Sequence, residues 1–122
     1  MRRIALAFAL AVMLAPPAKA LDLAPTGTLR AVFIGGNAVQ AVTDPATGET
    51  HGPAADIVRE LARRAGVPFK MTGVPGVVAV INSLKSGAAD IGFLAYAADR
   101  AEIVDFARPH LLAQQAYLVL AT

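Results

Sequence analysis

Apolar positions along the chain recur first with the period of a strand and then with that of a helix. In "TLRAVFIGG", Leu29 to Ile34 reads as a β-strand closed by a Gly-Gly pair that must turn. The following "NAVQAVTDPATGETHG" carries Asp44-Pro45 and Gly48 as turn punctuation and reads as a loop or irregular hairpin. From Pro53 the spacing changes to three and four. Ala54, Ile57, Val58, Leu61, Ala62 and Ala65 fall on one helical face, with Arg59, Glu60, Arg63 and Arg64 mostly off it. Pro53 suits the first turn, the two arginines suit the negative end of the helix dipole, and Gly66 with Pro68 marks the stop. A second strand is expected from about Pro68 to Thr72, and a second helix from Gly76 to Ser86, where Val77, Val80, Ile81 and Leu84 repeat the stripe and Gly87 can take the left-handed cap. Asp90 to Leu94 reads as a short strand buried on both faces, Ala98 to Ile103 as a short third helix, and "AYLVLA" as a last strand.

Strand, helix, strand, helix, strand predicts an α/β fold: an open, mostly parallel sheet with helices on both faces. In such sheets ligands bind at the carboxyl ends of the strands, where the strand order reverses. The segments leaving those ends are Gly35 to Gln40 and Ala95 to Arg100. Gly35-Gly36 makes no dinucleotide fingerprint, since no helix follows directly and the third glycine is missing.

The first twenty residues change the charge picture. Arg2 and Arg3 precede an apolar run from Ile4 to Leu14, which ends in Pro16-Pro17 and Ala18-Lys19-Ala20. This is the pattern of a secretory signal peptide cleaved after Ala20, and the run is short for a membrane span. No stable membrane anchor is expected after cleavage, and residues 21–122 are expected to form one domain. Removing Arg2, Arg3 and Lys19 leaves eight Lys/Arg against nine Asp/Glu, so the formal charge moves from +2 to −1. Nucleic-acid binding needs a clustered basic face and loses its support. The absence of cysteine leaves stability to burial and removes thiol chemistry and Cys-based metal sites. His110 has no partners at metal-binding spacing, so no metal or cofactor is expected.

In this order, "LRAVFIGGN", "TGETHGPAADIVRELARRAGV", "LKSGAADIGF" and "DRAEIVDFARPHL…AYLVL" resemble the first lobe of a type II periplasmic binding protein. The family is solute-binding protein family three, the polar amino-acid ABC-transporter type. The resemblance implies a periplasmic receptor that binds a small polar solute, an amino acid or related carboxylate, and hands it to an ABC-transporter permease without doing chemistry. It implies that Arg100 is the pocket arginine whose planar fork grips the ligand carboxylate. The family's Ser/Thr hydroxyls are missing from "FLAYAAD", which leaves Tyr96 and the turn backbone at Ala95 as further contacts. The expected aromatic after the first strand is also missing, and Asn37 and Gln40 take its place. A surface role for Arg100, paired with Asp99, Glu102 or Asp105, is the alternative from the residues alone. Phe106 is expected as a core anchor, Asp105 as structural, and Asp56 as an acid favoured by the helix dipole. Tyr117 to Ala121 resembles the strand entering the hinge between two lobes, so the chain is expected to be a lobe truncated there. Two other readings use the same scaffold: a periplasmic dehydratase-like enzyme, and a sensory ligand-binding module.

Overall fold

The computed structural model describes residues 22–114, 116 and 118–120; the expected signal peptide lies outside them. Its elements follow the order β1 (Leu29–Ile34), β2 (Val42–Thr43), β3 (Thr50–His51), α1 (Pro53–Ala65), β4 (Phe69–Val74), α2 (Val77–Lys85), β5 (Ile91–Gly92) and α3 (Ala98–Ala101). β1 is the centre of a parallel three-stranded sheet of order β4-β1-β5, and of the loop or irregular hairpin expected after it the structure has the hairpin, β2 with β3.

The period of two in β1 sorts its side chains to two helices. Leu29, Ala31 and Phe33 pack with Ala54, Val58 and Ala62 of α1, while Val32 packs with Val80 of α2 and Ile34 joins the same cluster. The helices therefore cover opposite faces, as the α/β reading requires. α1 begins with Pro53 in its first turn and ends on Gly66 at φ 68, the left-handed conformation that glycine adopts without a Cβ penalty. α2 lies unusually close to β5 because Gly92 has no side chain. A Cβ there would come within 2.8 Å of Val80 and 2.9 Å of Leu84.

Three expectations are corrected. β5 holds two residues rather than five, and both are half-buried, because its pairing with β1 stops at Gly92. Leu118, Val119 and Leu120 form no strand and are exposed, while Tyr117 and Ala121 lie outside the described residues. Strand propensity holds no strand without a partner edge and a face to bury. Phe106 joins neither core cluster and instead sets its ring against Tyr96, with centroids 5.3 Å apart and planes at 74°.

One tie that the residue pattern did not announce closes the far end of the sheet. Asp90 Oδ1 lies 2.6 Å from Arg30 Nη2, and Asp90 Oδ2 accepts from Arg30 Nε at 3.1 Å and from the Arg30 backbone N–H at 2.9 Å. The Asp90 side chain is 8% exposed, so water competes little for it. These bonds from Arg30 hold the Asp90 carboxyl below its ordinary value of 3.8. A lowered folded-state pKa means stability that is present above the unfolded value and lost as pH falls through the folded one. Urea midpoints are therefore expected to drop as pH falls below about 4. Asp90→Asn is expected to start with a Tm lower by about 5 °C at neutral pH and then to lose less on acidification. Glu60, drawn down to about 2 by Arg63 and Arg64, adds to the same limb but is a surface group that salt screens. A pH series of urea melts in low and high salt separates the two.

Candidate functional site

β1 leads by way of α1 to β4 on one side of it, and β4 leads by way of α2 to β5 on the other. The strand order thus reverses between β1 and β5, and the crevice at their carboxyl ends is the expected ligand position in an open α/β sheet. Two segments border it, as the sequence places them. One is the turn after β1, the other the stretch from Phe93 to α3.

The first segment is held by its own amides. Gly35 N–H donates to the Val74 carbonyl at 3.0 Å, and the Gly35 and Gly73 backbones approach so closely that a Cβ on Gly73 would stand 3.1 Å from Gly35 Cα. Glycine at both positions lets the chain turn across the end of β4. Asn37 is half-buried, its Oδ1 accepts from the Val39 N–H at 3.2 Å, and its side-chain NH2 group donates to no acceptor among the described residues. Gln40 points between the two segments. Its Oε1 accepts from the Ile34 N–H and its Nε2 donates to the Phe93 carbonyl, each at 3.3 Å.

The second segment brings Arg100 back onto the turn. α3 is a single turn, and Arg100 Nη1 donates to the Ala95 carbonyl at 2.9 Å. Arg100 makes no salt bridge among the described residues, although Asp99, Glu102 and Asp105 are close in sequence. One of its five N–H donors is thereby tied to the backbone, and the guanidinium keeps an edge for a carboxylate. The Ala95 and Tyr96 N–H groups donate to no acceptor among the described residues. Tyr96 is 70% exposed and leans edge-on against Phe106, outside both core clusters. His110 stacks edge-on against Phe93 at 5.5 Å, a packing role.

Arg100, Tyr96 and Ala95 are therefore gathered on one border of the crevice, Asn37 on the other, and Gln40 between them. Asp56 pairs with Arg59 on the surface of α1 at 2.7 Å, away from this border. The carboxyls whose pKa values are shifted, Asp44, Glu60 and Asp90, are all shifted down, toward the anion; they lie on the hairpin turn, on α1 and at the entry to β5. A general acid at neutral pH needs the opposite shift.

The profile of the bacterial extracellular solute-binding proteins, family 3, matches residues 34–122. Domain 1 of TmArgBP in its arginine-bound form superposes with a TM-score of 0.63 at 26% identity, over 75% of this chain and 73% of that one. The ancestral cationic amino acid solute-binding protein AncCDT-1 superposes with a TM-score of 0.62 at 24% identity over 70% of this chain. An ancestral cyclohexadienyl dehydratase, AncCDT-3, gives 0.61 at 24% over the same share. The chain spans 66% of a second arginine-bound domain 1 structure, and 37% and 35% of the two ancestral proteins. No curated protein matches it.

Proposed function

The chain belongs to the bacterial extracellular solute-binding proteins of family 3, and we propose that its crevice is one wall of the cleft in which a periplasmic receptor holds an amino acid or related carboxylate for an ABC-transporter permease. The observation that carries this reading is Arg100. Its guanidinium is oriented by the Ala95 carbonyl and is paired with no carboxylate among the described residues, at the crevice where the strand order reverses. A guanidinium left in that state suits an anion brought by the ligand. The Ala95 and Tyr96 N–H groups supply the donors that hydroxyls supply elsewhere in the family, and Asn37 offers its NH2 group from the opposite border. In this reading residues 1–20 direct export and are cleaved after Ala20.

Calorimetric titration of the protein as its host makes it, against the twenty amino acids and a set of dicarboxylates, tests the reading. Micromolar binding of at least one carboxylate is expected, and amines lacking a carboxylate are expected not to bind. Binding that ignores the carboxylate would overturn it.

A further inference from the structure

The position at which β5 stops pairing with β1 is chemically specific. In a parallel ladder the bonds alternate at even spacing along the two strands. Here Val32 is paired with Gly92 and the Phe93 N–H donates to the Val32 carbonyl at 3.0 Å, so the even-numbered residues of β1 are those that face β5. The next bond of a regular ladder would run from the Ile34 N–H to the Phe93 carbonyl. Instead the Gln40 carboxamide stands between them. It takes the Ile34 proton on Oε1 and gives a proton from Nε2 to Phe93. A carboxamide has the acceptor and the donor of a peptide group, and only one orientation of it satisfies both partners.

We infer that Gln40 is a positioning residue that replaces one rung of the β1–β5 ladder with its side chain and thereby holds the two strand ends apart. The inference rests on the reading of the crevice as the solute site, because the spacing it sets is that between the Asn37 border and the Ala95–Arg100 border. Gln40 is itself held from behind. Its carbonyl accepts from the Ala54 N–H at the start of α1 at 3.0 Å, and its own N–H donates to the Asn37 carbonyl at 3.0 Å. The neighbouring Ala41 is 1% exposed, and a Cβ on Gly52 would stand 3.1 Å from the Gln40 carbonyl oxygen, so the backbone has little room to move. The wedge is thus anchored on the first helix and reaches across the sheet. With its amide engaged on both sides, Gln40 shapes the crevice through Asn37 and Ala95 rather than by touching the solute.

Two measurements test this without any ligand, so they fail separately from the calorimetry above. In the unaltered protein, NMR coupling across the hydrogen bond is expected between the Ile34 amide nitrogen and the Gln40 side-chain carbonyl carbon. A coupling from Ile34 to the Phe93 backbone carbonyl carbon instead would show an ordinary rung and overturn the inference. Gln40→Glu supplies the second arm. When protonated, the introduced carboxyl can accept from Ile34 and donate to Phe93 as the amide does; when ionised it can only accept and meets the Phe93 oxygen with like charge. Exchange of the Ile34 amide, compared with the unaltered protein at each pH, is therefore expected to be equal at low pH and roughly tenfold faster once the carboxyl ionises, with the Val32 amide unchanged. A ratio that stays at one across the titration would overturn the rung, since a residue that only fills space would not read the proton.

Discussion

Phe33→Ala is expected to lower the urea midpoint of unfolding by about 2 M, the largest stability loss for a single truncation in this chain. Phe33 is 1% exposed and is the largest of the fully buried side chains. It lies on the α1 face of β1, and its ring edge lies 3.4 Å from where a Cβ on Gly73 would be. Truncation removes the transfer term and leaves a cavity that neither neighbour can refill, since Gly73 has no side chain to offer and α1 packs on β1 through Ala54, Val58 and Ala62. Phe→Ala changes of this kind cost about 3–5 kcal/mol, against a total of about 5–15 kcal/mol for a small domain. Leu118→Ala is the matched control. Leu118 is fully exposed, and its truncation is expected to stay within about 0.5 kcal/mol. Equal effects of the two would show that β1 is not the centre of the core.

The elements that carry strong local signals lie where the pattern places them. β1 matches Leu29 to Ile34 residue for residue, and α1 runs from Pro53 to the Gly66 cap, because a Pro, a Gly and a three-four stripe all act within a few residues. What escaped are the interactions between strands. Arg30 and Asp90 are sixty residues apart, and only the register that sets Ala31 beside Ile91 brings them together. Once β1 and β5 are known to be neighbours, the two opposite charges flanking them become a visible signal. Gln40 was legible as a polar residue at the crevice but not as a rung, because its partners, Ile34 and Phe93, are backbone groups that every residue possesses. The same cause shortened β5. Asp90 to Leu94 reads as a strand, but a side-chain amide takes the place of the bond that would have continued it. Phe106 was misplaced because hydrophobicity does not say which aromatic meets which, and here Tyr96 supplied a partner outside the core.

The second large effect is on binding. Arg100→Lys is expected to weaken the tightest ligand of the calorimetric panel by about 30- to 150-fold, equivalent to about 2–3 kcal/mol. The charge is conserved, so a purely Coulombic role would leave affinity nearly unchanged. What is lost is geometry. Arg100 Nη1 is fixed on the Ala95 carbonyl at 2.9 Å, which orients the plane of the guanidinium and presents its remaining N–H donors side by side. A lysine ammonium has no plane to orient. It would either donate to Ala95 or reach for the ligand as a single point, and the carboxylate would then lack its second short bond. An arginine–carboxylate pair left in water is worth only about 0–1 kcal/mol, so a loss of the expected size also requires that the bound ligand be covered on its other side. Arg100→Ala should cost at least as much as Arg100→Lys, because the carboxylate then keeps no cation at all. Unfolding midpoints of both variants should match the unaltered protein, since Arg100 pairs with no carboxylate among the described residues and its one bond is to an exposed turn. A lysine variant that binds within twofold of the unaltered protein would return Arg100 to the surface and take with it the reading of this crevice as a carboxylate site.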